Sequence, residues 1–110
     1  MIVIDKEVGR IRLKLQAIKM GEDLCVIITG GKEHIGAITF NYDKKTSTVA
    51  FGTHKENFVT QAVGDVLNNR FCGNFVICCG IHFDNITKEE IECVKALSLK
   101  ITEELCIKLK

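Results

Sequence analysis

Between Arg10 and Ala17 the chain reads "RIRLKLQA", with Ile11, Leu13 and Leu15 on one side and Arg12, Lys14 and Gln16 on the other. Successive side chains of a strand point to opposite faces, so this alternation describes a half-exposed β-strand whose core face is fixed residue by residue. The next run differs in kind. After the turn residues of "MGED", "LCVIIT" is apolar almost throughout, which suits a strand covered on both sides. "GGKE" reads as a turn, "HIGAITFNY" as a further strand, and "STVAFG" as another beyond the charged turn "DKKT". Strands in succession with short connections predict an antiparallel meander.

The period then changes. In "THKENFVTQAVGDVLNNRF", Phe58, Ala62, Val63, Val66, Leu67 and Phe71 recur at helical spacing, and Thr53 with Glu56 has the spacing of a capping box. "NFVICC" follows as a buried strand ended by Gly80. "NITKEEIECVKALSLKITEELCIKLK" supplies a second helix with Ile91, Val94, Leu97, Ile101 and Leu105 as its stripe, a Thr87 and Glu90 capping box, and a break near Ser98. The order ββββαβα predicts an α+β fold: a mostly antiparallel sheet with its helices packed on one face.

With 110 residues, 46% of them apolar, and no proline, the chain is expected to form one domain over residues 1–110. Fifteen Lys and Arg against fourteen Asp and Glu leave a net charge of +1, without the basic excess that nucleic-acid capture requires. The apolar start "MIVI" meets Asp5 too soon for a signal-peptide core, and no run approaches a membrane span; the expectation is a cytoplasmic protein without membrane contact. Cys25, Cys78 and Cys79 lie in strand-like runs and Cys93 and Cys106 in helical ones, where a free thiol behaves as a small hydrophobe rather than as part of a disulfide framework. Cys72, Cys78, Cys79 and His82 lack the paired spacing of a zinc site, so no metal is expected.

The three histidines, His34, His54 and His82, all stand where one element hands over to the next. A helix N-terminus presents free N–H groups and the positive end of the macrodipole, which attract phosphate. Gly30 and Gly31, after Thr29, either close an ordinary hairpin or form a concave nest of N–H groups. Lys55 and Lys88 occupy first helical turns, the unfavourable end of the dipole for a cation, a cost that a bound anion would reverse. Alternatively Glu56, Glu89 and Glu90 compensate and both lysines are solvated. With Gly36, Asn57 and Asn85 close in sequence to the histidines, a shared polar pocket is the expectation. Cys79 beside a histidine would make a nucleophile, but no spacing identifies an orienting residue or an oxyanion hole.

"DLCVIITGGKEHIGAIT", "HKENF" and "GIHFDNITKEEI" together resemble the LpdD-like prenylated-flavin chaperone family, the small accessory D subunit of gallate and related hydroxyarylic acid decarboxylases. The likeness runs from about Asp23 to Ile91. Glu33 stands where members often carry Pro, while His34, Ile35 and Gly36 are in place. The resemblance implies a non-catalytic partner that binds prenylated FMN or FMN as cargo. It would pass the cofactor between a flavin prenyltransferase and a prenylated-flavin-dependent decarboxylase, or protect it during the decarboxylase's maturation. The blocks His34 to Gly36, His54 to Asn57 and Gly80 to Lys88 are carried over as ligand-binding candidates, with Phe51, Phe58 or Phe83 as an apolar wall. The alternative is a small enzyme acting on a phosphorylated or aromatic substrate through a histidine-lined pocket, and a third reading is an adaptor that binds no cofactor. A homodimer is expected because one small domain encloses a flavin with difficulty and a meander leaves edges unpaired.

Overall fold

The computed structural model describes residues 1–52 and 56–110, in the order β1 (Ile2–Val8), β2 (Ile11–Met20), β3 (Asp23–Gly31), β4 (Ala37–Tyr42), β5 (Lys45–Ala50), α1 (Asn57–Arg70), β6 (Phe75–His82) and α2 (Lys88–Lys108). The fold is α+β with a mostly antiparallel sheet, and it has one strand more than the sequence pattern suggested. The N-terminal segment joins the sheet because Ile4, opposite Leu15, extends the core face already set by β2.

The meander stops at β3. The sheet order is β1-β2-β3-β6-β4-β5, so the last strand lies between β3 and β4. It runs parallel to β3, from Leu24 opposite Phe75 to Gly31 opposite His82, and antiparallel to β4, with Ile38 opposite Cys78. An apolar run such as β6 gains most from the centre, where both backbone edges are hydrogen-bonded. β4 and β5 remain a hairpin, turned by Asp43 and Lys44 at positive φ. β6 also extends two residues past Gly80, where the sequence reading had ended it.

Both helices cover the same face: α1 packs on β4, β5 and β6, α2 on β1 and β2, and the two touch each other. The core between them holds Leu13, Leu15, Val26, Ile28, Ile77, Val63, Leu67, Ile101 and Leu105, all fully buried. Val63 and Leu67 belong to the stripe expected of α1, but Phe58 and Val66 are only partly buried, and Thr60 and Gly64 face the sheet instead. Gly64 explains the rotation, since a Cβ there would come within 3.0 Å of Thr39 Cγ2, so the bare backbone can lie directly on β4.

The two helix starts differ. Thr87 and Glu90 form the expected capping box: the Thr87 Oγ1 accepts from the Glu90 N–H at 3.1 Å and the Glu90 carboxylate from the Thr87 N–H at 3.0 Å. At α1 the N-cap position is Glu56, which makes no side-chain cap, and Thr53 lies outside the described residues. The break expected at Ser98 is absent. Ser98 and Thr102 are buried and return their hydroxyls to the carbonyls of Val94 and Ser98, each at 2.7 Å, so α2 continues with its polar atoms satisfied.

Candidate functional site

The C-terminal ends of parallel β3 and β6, the start of β4 and the starts of α1 and α2 gather at one end of the sheet. From β3 the chain must step over the end of β6 to begin β4. The step is tight: Lys32 N–H donates to the His82 carbonyl at 3.0 Å and Gly36 N–H to the Cys79 carbonyl at 2.8 Å. Gly80 makes room for it, since a Cβ there would overlap the His34 carbonyl. Gly31, at φ +65°, is bare for a related reason, its missing Cβ standing where the His82 carbonyl oxygen lies. Thr29, Gly30 and Gly31 are thus the last residues of a strand and close no hairpin, correcting that reading; Gly30 pairs with Leu13 on one side and Ile81 on the other.

The crossing positions His34 against Glu56, a contact between residues far apart in sequence. His34 Nδ1 lies 3.1 Å from the Lys32 carbonyl, which only accepts, so Nδ1 carries a hydrogen there. Nε2 lies 2.8 Å from a Glu56 carboxyl oxygen. Glu56 is 7% exposed, and Gly36 leaves it space, because a Cβ on Gly36 would occupy the carboxylate position. Sequence reasoning assigned Glu56 to a cap and to the block His54 to Asn57; its contact with His34 is disclosed only by the crossing.

Two hollows meet at this pair and a third adjoins the second. The first, about 360 Å³, opens between the starts of α1 and α2 and is walled by Phe58, Ile81, Ile86, Ile91 and Val94, with Glu56 and Lys95 as its polar members. The Lys95 ammonium lies 5.2 Å from the Phe58 ring centroid. The second, about 290 Å³, is lined by Lys32, Glu33, His34 and His82. The third, about 270 Å³, is lined by Arg12, Lys14, Asp5, Thr29, Gly30, Gly31 and Glu33, and shares Glu33 with the second. The His34–Glu56 hydrogen bond joins the first hollow to the second.

His34 and His82 therefore face a common hollow, while His54 and Lys55 lie outside the described residues. His82 Nε2 is 3.0 Å from the Asp84 carboxylate. Asn57 and Lys88 are the first residues of their helices, and Asn85 takes φ 53° in the loop before α2. The first turn of α2 is already occupied: its capping box uses two N–H groups, and Arg10 grips Glu90 through Nε at 2.8 Å and Nη2 at 2.9 Å. Phe83 packs on the core beneath Arg10, and Phe51 is exposed, so of the three phenylalanines Phe58 is the one in an apolar wall. Arg12, Lys14, Lys95 and Ile91 were missed, because on a strand face or helix stripe they read as ordinary solvent or core positions, whereas Ile81 and Ile86 fall within the block Gly80 to Lys88.

Cys79 is not a nucleophile of this site. Burial, reinforced by the neighbouring Glu56 carboxylate, holds its thiol far above the usual range and therefore protonated.

Residues 7–110 match the family model described as the prenylated flavin chaperone LpdD-like domain. The chain belongs to this family. It is 29% identical over 93 residues to Protein LpdD of Lactiplantibacillus plantarum, an alignment covering 78% of this chain and 68% of that protein. As an LpdD-like chaperone the protein is an accessory factor associated with prenylated flavin and not an enzyme. Among the described residues, no helix is long and apolar enough to cross a membrane.

Proposed function

We propose that residues 1–110 act as a single cytoplasmic chaperone domain that carries prenylated FMN. The isoalloxazine and its prenyl-derived ring lie in the apolar hollow between α1 and α2, and the polar chain of the cofactor runs past His34 and Glu56 toward His82. What carries this reading is the adjacency of the two environments: an apolar hollow of about 360 Å³ opens beside a part-buried His34–Glu56 pair. The hollow falls within the roughly 300–1,000 Å³ usual for small-molecule sites. Family membership supplies the cargo class. In this reading the carrier receives its cargo from a flavin prenyltransferase and releases it to a prenylated-flavin-dependent arylic acid decarboxylase, and an open, non-covalent site suits release. Thr29, Gly30, Gly31, Gly36, Asn57, Gly80, Asn85 and Lys88 frame the same end of the sheet, with His54 and Lys55 assigned to it by the sequence blocks.

Native mass spectrometry after co-expression with a flavin prenyltransferase tests the cargo. The wild type is expected to carry the mass of prenylated FMN, and Ile91→Trp, which fills the half-buried apolar hollow, to carry none while retaining its circular dichroism. An empty wild type, or an undiminished load in the variant, overturns the reading. Titration with FMN and riboflavin tests the phosphate end: the wild type should prefer FMN, and either Lys55→Ala or Lys88→Ala should weaken FMN binding about tenfold, the loss of one charge-assisted contact. Equal affinities throughout would remove the lysines from the site.

A further inference from the structure

The helices cover one face of the sheet, and the other bears two largely apolar rows, interrupted by Gln16 in the first and ending on Ser47 in the second. Strand register places Val3, Gln16, Ile27, Cys78, Ile38 and Val49 side by side across all six strands. The next row runs Ile18, Cys25, Val76, Phe40 and Ser47. Cys25, Ile27, Val76 and Cys78 are the members of "LCVIIT" and "NFVICC" that point away from the helices, and the reason those strands look fit for burial on both faces. Among the described residues nothing covers this face fully: Val3, Ile18, Phe40 and Val49 remain 45%, 41%, 41% and 49% exposed.

We infer that this face is the contact surface of a twofold dimer in which a second copy of the chain supplies the missing layer. The sheet midline falls between β3 and β6. A twofold axis parallel to the strands over that midline sets β1 over β5, β2 over β4 and β3 over β6 of the other copy. Row then meets row. Ile18 comes against Phe40, Val3 against Val49 and Met20 against Tyr42, so the most exposed apolar side chains cover one another in both directions, as an isologous interface demands.

The area fits. Six strands at about 4.8 Å and two rows at about 6.8 Å give roughly 390 Å², and one flanking row on each side, with Met20 and Tyr42 in one and Asp5 and Lys14 in the other, brings this to about 800 Å², one partner's share of a standard interface. An apolar centre edged by charge is also the anatomy such interfaces have. The axis preserves the direction along the strands, so the His34 and His82 hollows of both copies open at the same end of the dimer.

Sedimentation equilibrium of the flavin-free protein decides the matter independently of any cargo. The wild type is expected to dimerise, with a dissociation constant of micromolar order or tighter, and Ile18→Lys and Phe40→Glu each to weaken this about 100-fold or more. Both positions are partly exposed, so both variants should keep native circular dichroism. Mixing the two variants should restore a one-to-one dimer, since the introduced cation and anion meet at one contact while the second keeps its wild-type pair. A wild type that stays monomeric at hundreds of micromolar overturns the inference. So does a dimer indifferent to either substitution, or a mixture that fails to associate. If the wild type is monomeric and Phe40→Glu instead abolishes capture of the decarboxylase, the face belongs to that partner.

Discussion

A methyl group at position 80 would enter the His34 carbonyl, so Gly80→Ala is expected to lower stability by about 2 kcal/mol or more, read as a reduced urea midpoint at unchanged slope. A second test at this scale concerns Glu90. The Arg10 guanidinium, followed by the Thr87 N–H, draws the Glu90 carboxyl down from 4.5 to about 2. A depressed carboxyl stabilises the folded state in full above its unfolded value, and that contribution is lost as pH falls from about 4.5 through about 2. Wild type should therefore lose more stability than Glu90→Gln across that window, and parallel curves would show that the ion pair contributes nothing. His34 and His82 were legible in sequence because histidine is rare in this chain and both stand at element ends. Glu56 was not legible as the partner of His34, because its distance along the chain conceals a contact that only the crossing over β6 creates.

Among the elements, α1 depends on how closely it lies on β4. Gly64→Val would press against Thr39 and is expected to cost about 1–3 kcal/mol by lifting the helix, despite valine's better helix propensity. Unchanged stability would mean that Thr39 swings aside and the close approach is incidental. Alternation in β2 and helical spacing in α2 could be read because they are local, repeated over many residues and enforced by one buried face. The place of β6 could not, since nothing in "NFVICC" distinguishes pairing with β3 from pairing with β4, and it pairs with both. The same apolar continuity was read as cover on both sides, whereas the chain itself covers one.

Across the whole molecule, β3 and β6 have strand neighbours on both sides while β1 and β5 are edges, so backbone protection should fall from the centre outward. Native-state hydrogen exchange should find the slowest amides at Val26, Ile28 and Ile77 and the fastest sheet amides in β5, where residues are largely exposed. Equal protection of β5 and β6 would contradict this. The lateness of β6 in the chain also bears on synthesis. A ribosome that has released only the residues through Arg70 has produced two sheet fragments with no strand to join them, and neither the floor beneath His34 nor the α2 wall of the apolar hollow yet exists. At roughly 5–20 residues per second, the segment from Phe71 to Val94 takes a few seconds more to appear. Stalled or clipped chains lacking it would retain only the α1 side of the hollow, Glu56, Phe58 and Val59, so on the proposed reading a defective carrier would have no closed place to hold its cargo.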